Sequence, residues 1–260
     1  MNENKWVFND RHMGNAVNWN PDKHSSILLL GNSIVLGGNT YDQADKLGPQ
    51  LQAVLGAEYA VWSAAAGGWT DVNEMNYLDE NKDVLQNSDV VIVEYMAGGL
   101  SEIAKWPGYY VFPDHNPPIL TSYIFTKHVL PRLIGNIVLN ESGSLPPTGE
   151  ADPRQLKRFA SVISNMAATR EVLIFLYPTK TLFLNKPAWT AATADIIEMC
   201  RSLAIQCIDV AADDRWTADL YASDATHPKA KGNKVLASIL ASGVEAVGTV
   251  AAANSQVGAR

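Results

Sequence analysis

Two short stretches, almost the whole chain apart, carry residue types that together can do acyl chemistry. An apolar run, Ile27-Leu28-Leu29-Leu30, leads through Gly31 and Asn32 into Ser33. Near the far end stand Asp224-Ala225-Thr226-His227-Pro228. A serine hydroxyl is a weak nucleophile until a base takes its proton. An imidazole does that well only when a third group fixes its tautomer and steadies its cation. The spacing of Asp224 and His227 lets the carboxylate reach the imidazole Nδ1–H while Nε2 turns outward toward a hydroxyl. Pro228 suits the first position of a helix, which predicts His227 at a helix start. Each stretch alone has a plainer meaning: a serine after a strand is usually a helix cap, and an isolated Asp-x-x-His is usually a capped helix with a surface histidine. Their combination favours Ser33 as nucleophile, His227 as base and Asp224 as its orienting acid. Activity should then fall on the acid side as the imidazole protonates.

The elements that must bring these residues together are short apolar runs alternating with longer amphipathic segments. Strands are predicted over 26–31, 59–63, 90–95, 172–177 and 206–210, rich in Val and Ile and without strict alternation, as in strands buried on both faces. Helices are predicted over 42–55, 72–81, 153–168, 188–203 and 228–247. This order predicts an α/β protein, a three-layer α/β/α sandwich on a five-stranded parallel sheet. Ser33 then falls outside the carboxyl end of the first strand, where open sheets of this class bind ligands. The expected organisation is a polar connector over 1–25, then one domain over 26–250. An insertion over about 100–152 interrupts it, carrying Trp106, Tyr109, Tyr110, Phe112, Tyr123 and Phe125. A connection of that length is either a second small core or a lid that shapes a substrate site.

The 260 residues carry a net charge of -7 and contain no basic run, which argues against a nucleic-acid partner. No apolar run approaches the roughly 20 residues of a membrane span, and residues 1–25 do not resemble a signal peptide. A leader removed earlier would leave the compartment open, and the oligomeric state is open as well. Cys200 and Cys207 make no metal motif and are expected to be buried free thiols. Gly37-Gly38 is not followed by the Lys-Ser or Lys-Thr of a phosphate loop. His12 and His24 fall in the polar N-terminal stretch and are expected to be solvated, His115 and His128 lack ligand partners at useful spacing, and neither a metal nor a cofactor is implied.

The chain resembles the GDSL family of lipases and esterases, the SGNH hydrolases, over most of its length and in the family's block order. The first block, Gly-Asp-Ser, is matched by Gly31-Asn32-Ser33. The second, centred on a glycine after the second strand, is matched by Ala65-Ala66-Gly67-Gly68-Trp69. The last, Asp-x-x-His-Pro, is matched by Asp224 to Pro228 and continues as Lys229-Ala230-Lys231-Gly232. The resemblance implies a flavodoxin-like sandwich and a Ser33–His227–Asp224 triad. It also implies an oxyanion hole from the N–H groups of Ser33 and of Gly68 or Gly67. The third block, Gly-x-Asn-Asp, is where the chain departs: Val90 to Tyr95 is followed by Met96-Ala97-Gly98-Gly99, and Gly98 stands in place of the oxyanion asparagine. Losing one such donor typically costs about 10²–10³ in rate. Asn39 and Asn73 are the candidate replacements.

The reading is a serine esterase acting on acyl esters, with O-acetyl groups on carbohydrate preferred because sugar faces stack on aromatic rings. Asn39, Trp69, Gly98 and Glu94 are the candidate substrate-binding residues. The alternatives are a polysaccharide O-acetyltransferase and a non-catalytic carbohydrate-binding module on a degenerate hydrolase fold. Flavodoxin-like cofactor binding would rest on the sheet alone.

Overall fold

The computed structural model describes residues 5–22, 25–37, 41–101, 103, 121, 125, 151–185 and 189–257, with side chains to residue 248 in the last helix. Asn39, His24, His115, His128 and nearly all of the 100–152 insertion lie outside the described residues.

Five strands form one parallel sheet: β1 Ser26–Gly31, β2 Ala60–Ala65, β3 Val90–Met96, β4 Glu171–Tyr177 and β5 Gln206–Asp209. Their order is β2-β1-β3-β4-β5. Among the described residues, eight helices flank it: α1 Ser33–Leu36, α2 Leu47–Leu55, α3 Asp71–Glu80, α4 Lys82–Gln86, α5 Pro153–Ala167, α6 Lys180–Leu184, α7 Ala191–Leu203 and α8 Ala230–Val257. Every residue of β1 and of β3 is buried, which explains why these runs show no polar alternation. The period of two instead divides the side chains between two cores. Ile27 and Leu29 pack with Leu47 and Leu51 of α2 and with Leu236, Leu240 and Val244 of α8. Leu28 and Leu30 point the other way, to Val72 and Met75 of α3, Phe159 and Ile163 of α5, and Ile196 of α7. A fully buried Leu or Ile in either layer stabilises by roughly 1.5–3 kcal/mol, so the three layers hold each other rather than any one helix holding itself.

The predicted fold class and strand count match what is found, and the differences lie at helix starts. The segment read as a helix over 42–55 divides into a 3-10 turn, Gln43–Asp45, and α2, because Lys46 between them is extended. The helix expected from 188 begins at Ala191, with the Thr190 hydroxyl accepting the Thr193 N–H. The last helix begins at Ala230 and not at Pro228. Pro228 is instead bridged antiparallel to Tyr221, so the predicted place of His227 at a helix start is corrected. The short helices α1, α4 and α6 were beyond a reading by amphipathic period, which needs more than one or two turns.

Residues ahead of β1 are laid along the outer edge of β2. The Gly14 N–H donates to the Ser63 carbonyl at 2.9 Å. The Asn15 amide bridges the same edge, donating to the Val61 carbonyl at 2.7 Å and accepting the Ser63 N–H at 3.0 Å. Met13 is fully buried, and Lys46 Nζ lies 3.4 Å from the centre of the Trp6 ring. Among the described residues, no helix is long and apolar enough to cross a membrane. Cys200 and Cys207 are free thiols.

The sheet order places β1 between β2 and β3, so the chain winds outward from β1 in both directions. That reversal opens a crevice beyond the carboxyl ends of β1 and β3. Residues 32–33, 66–69 and 97–100 all emerge there.

Candidate active site

The nucleophile turn is held by a glycine and two side-chain contacts. A Cβ at Gly31 would lie 2.3 Å from Val35 Cγ2 and 2.4 Å from Glu94 Oε2, so the end of β1 admits only glycine. The Asn32 side chain caps α1, its Oδ1 accepting the Ile34 N–H at 2.9 Å. The Asn32 N–H points inward and donates to Glu94 Oε2 at 3.0 Å. Ser33 is therefore the first residue of a one-turn helix whose entry is fixed from above and below.

His227, the candidate base, sits on a loop braced by backbone and aromatic contacts. Ala222 N–H donates to the His227 carbonyl at 2.7 Å and Lys229 N–H to the Leu220 carbonyl at 2.8 Å, closing the loop at its neck. Ala225 has φ of 60°, a left-handed conformation that a residue with a Cβ adopts only when its surroundings impose it. Two contacts impose it: the Lys180 N–H donates to the Ala225 carbonyl at 2.8 Å, and the Tyr177 hydroxyl to the Thr226 carbonyl at 2.8 Å. Behind them Trp216 Nε1–H donates to the Tyr221 hydroxyl at 2.9 Å, and that hydroxyl donates to the Pro178 carbonyl at 2.7 Å.

These two supports bring Ser33, His227 and Asp224 into one hydrogen-bonded chain across 194 residues of sequence. The Ser33 hydroxyl lies 2.8 Å from His227 Nε2, and His227 Nδ1 lies 2.7 Å from Asp224 Oδ2. The chain calls for the tautomer in which Nδ1–H donates to the carboxylate and Nε2 accepts from the serine. Asp224 Oδ1 accepts the N–H groups of Thr226 and His227, each at 2.9 Å. Burial raises the Asp224 carboxyl, but those two N–H groups and the imidazole outweigh it and hold it below the usual carboxylate range. It is ionised at neutral pH, as an orienting acid must be.

The other candidates divide. Gly67 and Gly68 are exposed in the turn that follows β2, beside the nucleophile turn because Gly31 is in register with Ala65. Gly68 has φ of 79°, with open space where a Cβ would be. Trp69 is half-buried with its ring 5.8 Å from that of Tyr77. Gly98 is buried with φ of 94° in the turn after β3, a conformation that glycine adopts without strain. Its expected place on a substrate surface is corrected. Glu94 is corrected too: it is 1% exposed and lies beneath the nucleophile turn. Alternation along β3 sends it inward with Ile92 and Met96. Asn73 is not turned toward the crevice by its oxygen: Oδ1 accepts the Thr70 N–H at 3.1 Å and the Thr70 hydroxyl at 2.8 Å, capping α3.

Sequence reasoning missed Tyr177, Tyr221 and Asp71. Tyr177 ends β4 with a polar tip after an apolar run, which was the available signal. Asp71 gave none, because only the fold brings it against Gly99, where a Cβ would lie 1.6 Å from Asp71 Oδ2. Among the described residues, no three His, Cys, Asp or Glu side chains are grouped to hold a metal ion.

No protein-family model matches the chain, and no curated protein matches it by sequence. Solved structures do match. A family 3 carbohydrate esterase from Clostridium thermocellum is 15% identical with a TM-score of 0.50, over 86% of this chain and 97% of that one. The psychrotrophic esterase EstA from Pseudoalteromonas sp. is 13% identical with a TM-score of 0.47, over 85% and 97%. The first of these likenesses covers most of both chains and is one of fold, in keeping with the five-stranded parallel sheet and its helices.

Proposed function

We propose that this chain is a serine esterase of the GDSL type that removes O-acetyl groups from carbohydrate through an acyl-enzyme. The observation that carries the reading is the unbroken Ser33–His227–Asp224 hydrogen-bonded chain, with spacings of 2.8 and 2.7 Å. Ser33 Oγ attacks the ester carbonyl as His227 Nε2 takes its proton, and Asp224 steadies the imidazolium. The N–H groups of Ser33 and of Gly68 or Gly67 hold the oxyanion. His227 then hands the proton to the departing sugar oxygen. Water, deprotonated by the same imidazole, releases acetate and restores Ser33.

A carbohydrate substrate is supported by the Trp69 ring beside the glycine turn and by the shared fold with a carbohydrate esterase. A second reading has its own observation. With glycine at position 98, the oxyanion site lacks a side-chain donor there, which suits a slow transferase or a binding module on the same fold.

The test is hydrolysis of p-nitrophenyl acetate and of an acetylated oligosaccharide by wild type and Ser33→Ala. The expected result is turnover in wild type and a loss of about 10³-fold or more in the variant. Oligosaccharide binding without turnover, equal in both proteins, would favour the module.

A further inference from the structure

Three carboxyl groups are sealed behind the candidate oxyanion hole: Glu94 is 1% exposed, Asp71 3% and Glu74 3%. Glu94 lies under the nucleophile turn, Asp71 against Gly99 of the turn after β3, and Glu74 one helical turn beyond Asp71 on α3. Among the described residues none of the three forms an ion pair. Glu94 Oε1, Asp71 Oδ1 and Glu74 Oε2 are each buried without a hydrogen-bond partner. Three carboxylates cannot be ionised together in such a place, because desolvation and mutual repulsion both oppose it.

We propose that Glu94 is a positioning residue for the nucleophile turn and that it acts in its protonated, uncharged form. This inference rests on the esterase reading above. The Asn32 N–H of that turn donates inward to Glu94 at 3.0 Å, and the next N–H along, that of Ser33, is the one the esterase reading gives to the oxyanion. Contact between Glu94 Oε2 and Gly31 leaves the turn no room to sink. A neutral carboxyl fixes the turn without opposing the negative charge that grows on the substrate oxygen. An ionised one puts a buried negative charge behind that oxyanion and weakens its stabilisation.

The groups around Glu94 are themselves acids: a charge on Glu94 raises Asp71 and Glu74 of α3 and Tyr177 of β4, and Tyr95 lies near Asp71. Burial pushes Glu94 up to about 8 despite the Asn32 hydrogen bonds, and it pushes Asp71 and Glu74 well above the usual carboxylate range. Glu94 is thus the member that ionises just above neutral pH.

The experiment compares wild type, Glu94→Gln and Glu94→Ala from pH 6 to pH 9. It uses p-nitrophenyl acetate turnover, and the rate at which a fluorophosphonate labels Ser33 with a new O–P bond and loss of fluoride. Wild-type kcat and labelling rate should fall about tenfold between pH 7 and pH 9, while Glu94→Gln, neutral throughout, stays level. Glu94→Ala should lower kcat about tenfold at pH 7 with KM little changed, and glutamine should restore it. An alkaline fall of the same size in Glu94→Gln overturns the proposal while leaving the esterase reading intact. Wild type that neither turns over ester nor takes the label overturns the esterase reading, and the proposal with it.

Discussion

The two walls of the candidate site solve opposite electrostatic problems. On the base wall the decisive group is Asp224, half-exposed at its side chain, ringed by N–H donors and held as an anion. On the nucleophile wall it is Glu94, sealed from water, facing other acids and held as a neutral acid. On the proposed esterase reading, the same functional group serves in both places, once through its charge and once through the lack of it. Donors decide the first case and desolvation the second. The base wall is otherwise built from neutral contacts of Tyr177, Trp216 and Tyr221, which pH does not disturb near neutrality. The nucleophile wall carries the buried carboxyl groups described around the site.

The sharpest way to break this comparison is to remove the charge from the wall that needs it. Asp224→Asn keeps the shape of the side chain but presents an amide to Nδ1 and favours the wrong tautomer. We expect kcat to fall by about 10³–10⁴ with the fold intact, measured by ester turnover alongside circular dichroism. A loss under tenfold would mean that the geometry of position 224, and not its charge, matters.

The second test concerns stability, and its sign follows from the direction of the Glu94 shift. The folded state keeps the Glu94 proton up to about pH 8, whereas an unfolded chain releases it near 4.5. The stability that this group contributes is fully present below pH 4.5 and is lost as pH rises through 8. Relative to Glu94→Gln, wild type should therefore lose stability over that window, on the order of a few kcal/mol. Urea unfolding of both proteins at pH 5 and pH 8.5 measures the difference, and an unchanged difference would mean that Glu94 is not protonated.

The smallest effect belongs to the neutral brace. Tyr177→Phe deletes one hydrogen bond to the Thr226 carbonyl and should cost about 1 kcal/mol in stability, with less than a tenfold fall in kcat. Its pH–rate profile should keep the wild-type shape. A changed profile would show that the base wall is not the pH-indifferent side.

What the sequence made legible follows the same division. That Ser33, Asp224 and His227 meet could be expected, because strand, turn and short-range spacing are local signals. The sheet could be read because strands buried on both faces show as apolar runs. Glu94 was noticed but misplaced, since its role depends on which face of β3 is turned beneath the β1 turn. Asp71 was invisible, because nothing near it in sequence announces that its carboxyl will occupy the space beside Gly99. The glycine at position 98, where the family block has asparagine, is visible in the sequence as a gap, and its φ of 94° is visible only in the fold. The start of α8 was misread because Pro228 is equally at home in a bridge, and the proline alone does not tell the two apart.

The strap along β2 has a consequence for handling this protein. A strand at the rim of a sheet offers bare amide and carbonyl groups on which a second chain can template itself. Here Gly14 and Asn15 occupy that rim at Val61 and Ser63. Trimming the chain back to residue 25 would uncover it. The expected product is a fold that still forms but associates progressively with concentration, which would make the cover that Gly14 and Asn15 provide a device against association.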